Sequence, residues 1–227
     1  MKALRTKVCT YAIALLVSIG FATTSFAGSS DFSGVWIAGH AELNVVAIDG
    51  TNTDGTGTDS GTVTSGTIGG FAPTAGYEVG FNLPLGDTFF VTVGYADGGG
   101  ASAQIAGAET SDDGNSDVTV HASNPSWYYI APSISVFDNS AVYFKIGKSE
   151  ANLKAVGDVT GTLSGISGDL YGIGTTSIAN NGLFFKTEAG AIQYDAFSIT
   201  GIGGSSTAVI EGDPLVGYGH VAIGYKF

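Results

Sequence analysis

Beyond residue 27 no stretch of the chain is long and apolar enough to cross a membrane as a helix, yet apolar residues recur at every second position through most of it. A period of two sends alternate side chains to opposite faces of a β-strand. Thr74–Leu83 shows the pattern most cleanly. Ala75, Tyr77, Val79, Phe81 and Leu83 share one face, and Thr74, Gly76, Glu78, Gly80 and Asn82 share the other. The same alternation marks Ser33–Ala47, Thr88–Ala96, Trp127–Val136, Ala141–Ala151, Leu183–Tyr194 and Leu215–Phe227, and more weakly Asp169–Ile178. These are eight strands. Charges sit on the face opposite the large apolar residues, together with many glycines. If the apolar face meets lipid, every backbone hydrogen bond must close between strands, and only a barrel does that. The sequence therefore predicts an all-β fold, an eight-stranded antiparallel up-and-down transmembrane β-barrel with polar side chains inward.

The connections alternate in length. Pro84–Asp87, Phe137–Ser140 and Ala179–Gly182 are tight-turn sequences, the last carrying Asn-Gly, the strongest short hairpin signal. Between them, Asp49–Gly70, Asp97–Asn124, Asn152–Gly168 and Ser198–Asp213 are rich in Gly, Thr and Asp and read as solvated loops. The expected arrangement has short periplasmic turns and long extracellular loops. Pro132 falls within a strand and removes a ladder donor, so a bulge is expected there. Outward aromatic residues such as Tyr77, Phe89, Tyr128 and Phe185 lie near strand ends, where an interfacial girdle belongs.

The first 27 residues read as an export signal. Lys2, Arg5 and Lys7 form a basic start, Tyr11–Ala22 is mostly apolar, and Ser25-Phe26-Ala27 fits a small-x-small cleavage site. The division is thus 1–27 signal peptide and 28–227 barrel domain. Cys9 lies in the removed part, so the mature chain has no thiol for a disulfide, a metal or nucleophilic catalysis. Charged residues make up 12% of the chain, about half the usual share, which suits a barrel with its apolar side outward. After cleavage five lysines face twenty acids, a net charge of −15 with no arginine, which excludes nucleic-acid binding.

The closing strand sharpens this reading. In LVGYGHVAIGYKF, Gly219, Val221, Ile223, Tyr225 and Phe227 share one face, and the chain stops on an aromatic residue. This strand resembles the last strand of bacterial outer-membrane β-barrels, and the whole pattern resembles the OmpA-type transmembrane domain and the opacity and porin-like surface proteins. The resemblance implies that those five residues act as the signal read by the barrel-assembly machinery. It also implies a multi-pass location in the outer membrane of a Gram-negative cell, with outer-membrane lipid and lipopolysaccharide as surroundings. OmpA continues into a peptidoglycan-binding domain; this chain ends at the barrel. Oligomeric state is left open.

His40, Glu42, Glu78, Lys145, Lys186 and Glu188 fall on the inward face, with His220 and Lys226. Because eight strands leave an interior just wide enough for side chains, these residues are expected to form an ion-pair network filling the lumen. The expected role is structural or surface-interacting, with a mostly closed lumen. The alternatives are a narrow porin for small solutes and, behind it, a lipid-modifying enzyme built around His121 and Ser123. No GxSxG motif or ordered calcium loop occurs, so no catalytic residue, cofactor or metal is assigned.

Overall fold

The computed structural model describes residues 28–53, 63–100, 102–109, 117–137, 139–157, 161–200 and 209–227. The expected export signal and parts of the expected loops lie outside these. A short 3-10 turn, Ser29–Phe32, precedes ten strand segments. These are β1 Gly34–Thr53, β2 Val63–Pro84, β3 Phe89–Asp97, β4 Ser102–Glu109, β5 Asp117–Phe137, β6 Ser140–Gly157, β7 Gly161–Ile178, β8 Leu183–Tyr194, β9 Phe197–Thr200 and β10 Val209–Lys226. Every ladder is antiparallel, and β10 pairs with β1 from Trp36↔Lys226 to Thr53↔Val209. The ring β1-β2-β3-β5-β6-β7-β8-β10 is therefore an eight-stranded barrel. Short breaks separate β3 from β4 and β8 from β9, so each pair is one strand resumed.

Strand parity follows the sequence. Trp36, Ala38, His40, Glu42 and Asn44 are buried inside, while Val35, Ile37 and Leu43 are exposed outside. Around the ring, Phe81, Phe89, Val93, Ile130, Phe144, Ile173, Phe185 and Ile223 give a continuous apolar outer belt. Farther from the tight turns, Asp97, Ser126, Lys148, Asp169, Gln193 and Asp213 follow on the same outward parity. Six strands run to 18–22 residues, about twice what one tilted crossing needs.

That length corrects the loop expectation. Much of Asp49–Gly70, Asp97–Asn124, Asn152–Gly168 and Ser198–Asp213 is ladder. Thr51 pairs with Ser65, Val120 with Ala155, Lys154 with Thr162 and Ile210 with Ile199. Threonine favours strands, and Gly, Thr and Asp separate the apolar residues of these segments, so their composition hides the pattern. At Pro132 the expected bulge is missing. The β5–β6 ladder passes from Ile130↔Ile146 to Ser133↔Tyr143 without a shift in register, while Pro132 still faces Val91 on β3.

The upper part differs from a closed ring. The β2–β3 ladder stops at Tyr77↔Asp97, and the β7–β8 ladder at Gly168↔Tyr194. Beyond these points no ladder joins β2 to β4 or β7 to β9 among the described residues. The wall continues as two four-stranded sheets, β9-β10-β1-β2 and β4-β5-β6-β7. Their inner faces pack Val46, Ile48, Ile105, Val120, Leu153, Ile166, Phe197 and Ile199 into one apolar cluster.

Glycine gives the lower lumen its room. A Cβ on Gly174 would stand 2.4 Å from the Tyr143 ring, and one on Gly190 would stand 2.5 Å from Tyr218. Large rings fit inside because the strand facing each offers no side chain.

Candidate functional site: the charged layer of the lumen

Three layers fill the lumen. At the base, Phe32 from the 3-10 turn stacks on Phe90 at 5.0 Å, beside Trp36, Ile178 and Phe184. Asn82 ties this floor together, donating to the Phe32 carbonyl at 2.7 Å while accepting from Trp36 Nε1 at 3.1 Å and Thr92 Oγ1 at 2.8 Å. The Ser29 hydroxyl donates to the Gly86 carbonyl, fastening the turn beneath the barrel. Lys226 belongs to this level, its Nζ donating to the Asp31 carbonyl at 2.7 Å.

The middle layer is ionic. Lys186 Nζ lies 2.7 Å from Glu78 Oε2, and Lys145 Nζ lies 2.9 Å from Glu188 Oε1. Register explains the second pair. Lys145 opposes Gly172, Gly172 opposes Gly190, and Glu188 lies two residues along β8 on the same face. Lys186 instead reaches across the lumen to β2. Tyrosines complete the carboxylates: Tyr129 donates to Glu78 at 3.0 Å, Tyr143 to Glu188 at 2.8 Å and Tyr218 to Glu188 at 2.6 Å. Glu78 is fully buried, Lys145 1% exposed and Glu188 3% exposed. Charges so far from water persist only with partners of this quality. Each lysine also faces a ring, Lys145 at 4.2 Å from Tyr129 and Lys186 at 4.7 Å from Trp36.

His220 bridges two carboxylates, with Nδ1 3.3 Å from Glu42 Oε2 and Nε2 2.6 Å from Glu78 Oε1. The Nε2 contact is close but off the hydrogen-bonding direction. His40 stands apart from the ion pairs. Among the described residues neither of its ring nitrogens meets a hydrogen-bond partner, and the ring packs 5.0 Å from His220 and 5.3 Å from Trp127. The third layer is the apolar interior between the two upper sheets.

Inward parity placed the charged residues on one face of their strands, but the partners need the closed ring. Parity also turns Trp36, Tyr129, Tyr143 and Tyr218 inward, but it does not show which carboxylate each tyrosine hydroxyl meets. Phe32 lies in the 3-10 turn ahead of the first strand, where no period marks it. His121 lies on β5 between Gln104 and Lys154, with its Nε2 3.4 Å from the Thr119 hydroxyl. No serine nucleophile is aligned on it among the described residues, and no cluster of three His, Cys, Asp or Glu suited to a metal occurs there. Gly219, Val221, Ile223, Tyr225 and Phe227 share the outward parity of β10, and Phe227 N–H donates to the Val35 carbonyl at 2.9 Å. Tyr225 and Phe227 rings meet edge to face at 5.3 Å.

A closed antiparallel ring with an apolar belt and a polar interior defines the fold class of the transmembrane β-barrels. No protein-family model matches the chain, and no curated protein matches it in sequence. Solved structures do. The outer membrane protein AlkL, determined in lipid bilayers, is 16% identical over 92% of this chain and 96% of its own, with a TM-score of 0.50. OprG from Pseudomonas aeruginosa is 13% identical over 86% of this chain and 97% of its own, at 0.47. The outer membrane protease OmpT from Escherichia coli is 9% identical over 90% of this chain and 99% of its own, at 0.45. At these identities the likeness to AlkL establishes a shared fold, not a shared role.

Proposed function

We propose that the protein is an integral outer-membrane barrel with a sealed lumen, serving a structural or surface-interaction role without catalysis or open-pore transport. The ionic layer carries this reading. Opening a water path through it would strand at least one of Glu78, Lys186, Glu188 and Lys145, at several kcal/mol each, to order of magnitude. The Phe32 floor is a second obstruction beneath it. The apolar belt supports a place among lipid chains, with lipopolysaccharide as the outer leaflet's surface. The first 27 residues supply export and are removed. Gly219, Val221, Ile223, Tyr225 and Phe227 are offered to the barrel-assembly machinery as the closing strand arrives.

Planar-bilayer recording tests the central claim. The wild-type protein is expected to show little steady conductance and at most brief openings. The Lys145→Ala, Lys186→Ala double variant should conduct, because Glu78 and Glu188 lose their counter-ions. Large, stable conductance in the wild type would overturn the sealed-lumen reading.

A further inference from the structure

Above the ionic layer the two upper sheets enclose a cavity of about 60 Å³, several times the roughly 10–15 Å³ that one water needs. Its polar lining lies toward the lower side and is already engaged. Glu42 faces His220, Asn44 Nδ2 donates to the Ala72 carbonyl at 3.1 Å, and the Ser149 and Tyr194 hydroxyls meet at 2.8 Å. The walls are apolar, supplied by Leu153, Ile166, Ile192 and Val216. The room exists because Ala72, Ala103, Ala122 and Ala151 also line it. A sandwich core of ordinary density would carry larger residues there.

We infer that this cavity is a binding site for a small uncharged hydrocarbon, of the size of a single aromatic ring or a short alkyl chain. An apolar cavity gives water too few partners, whereas an apolar guest gains dispersion contacts on every side. Polar groups are few in the lining, so a charged molecule would lose most of its hydration on entering. The ionic layer forms a floor beneath the site, so the guest is held rather than passed through.

The test uses the full mature chain in lipid nanodiscs, alanine-methyl NMR and toluene as the probe. Ala72 and Ala151 methyl shifts should saturate with toluene, while outward Ala75 should report only the linear effect of toluene dissolved in lipid. Benzoate should leave Ala72 and Ala151 unmoved. Ala151→Leu fills the cavity and should weaken saturable binding by about tenfold or more, with heat-modifiable migration on gels confirming that the barrel is folded. Ala122→Val is a smaller filling change and should give a smaller loss. Linear shifts at Ala72 and Ala151 in the wild type would overturn the site. So would saturable binding that Ala151→Leu leaves unchanged. Neither result bears on conductance, so this inference and the sealed lumen stand or fall separately.

Discussion

The lower and upper halves of this barrel solve the same packing problem with opposite polarity. Below, Val35, Phe81, Phe185 and Ile223 face outward, and Glu78, Lys186, Lys145 and Glu188 face inward. Above, the outer parity turns to Asp97, Lys148, Asp169 and Glu211, and the inside to Ile48, Leu153, Ile166 and Ile199. One set of strands carries both solutions, and the inversion occurs over a few residues. Lipid outside permits a polar interior closed by ion pairs; water outside requires an apolar interior, as in a soluble sandwich. The ladders follow suit. The lower half leaves no strand edge, because an unpaired edge in hydrocarbon is costly, whereas two seams are tolerable where water can satisfy backbone groups.

Removing one partner of a buried pair should give the largest effect. Glu188→Ala leaves Lys145 without its counter-ion, Tyr143 without its acceptor and Tyr218 with only the longer bond to the Tyr171 carbonyl, for an expected loss of about 3–5 kcal/mol in urea unfolding from lipid vesicles. The Lys145→Met, Glu188→Leu double variant should recover most of it; if it is no better than the single change, the ion pair is not the source of the loss.

Outer-face lysines should track the inversion. Val221→Lys, in the apolar belt, should cost about 2–4 kcal/mol, and Glu211→Lys, farther along the same strand and face, no more than about 1 kcal/mol. Equal costs at the two positions would place the boundary elsewhere. Gly174→Ala drives a Cβ into the Tyr143 ring and toward the Thr187 carbonyl. The expected loss is about 1–3 kcal/mol by the same unfolding measurement, accompanied by a shifted Tyr143 resonance. The smallest effect belongs to Lys148→Ala. Its pair with Asp169, 2.7 Å apart, is about half exposed on both sides, so the change should leave the unfolding midpoint nearly unmoved and any difference should vanish in high salt.

The sequence showed the lower half better than the upper. Tyr77, Val79, Phe81 and Leu83 alternate against Glu78 and Gly80 so strongly that strand, face and lipid contact follow together. Thr64, Ser65, Gly66 and Thr67 carry no such contrast, yet they pair in register with β1. There the ladder is imposed by neighbouring strands rather than by local hydrophobic pattern. Parity alone put Glu78, Lys186 and Glu188 on inward faces. It could not assign Lys186 to Glu78, 108 residues away, because that contact crosses the lumen. Phe32 is illegible for a related reason, since a single aromatic residue ahead of the first strand has no period to betray it.

The ladder between the first and last strands sets a constraint in time. It runs through eighteen residue pairs, from Trp36↔Lys226 to Thr53↔Val209, and every pair joins residues more than 150 positions apart. Contacts so distant in sequence form late and slowly. Until β10 arrives, β1 presents one of the longest strands of the molecule as an open edge, and an open edge recruits other chains. Successful folding thus depends on a race between delivery of the last eighteen residues and capture of the first strand by a stranger. A helper that shields β1 while the rest assembles would act at the slowest step.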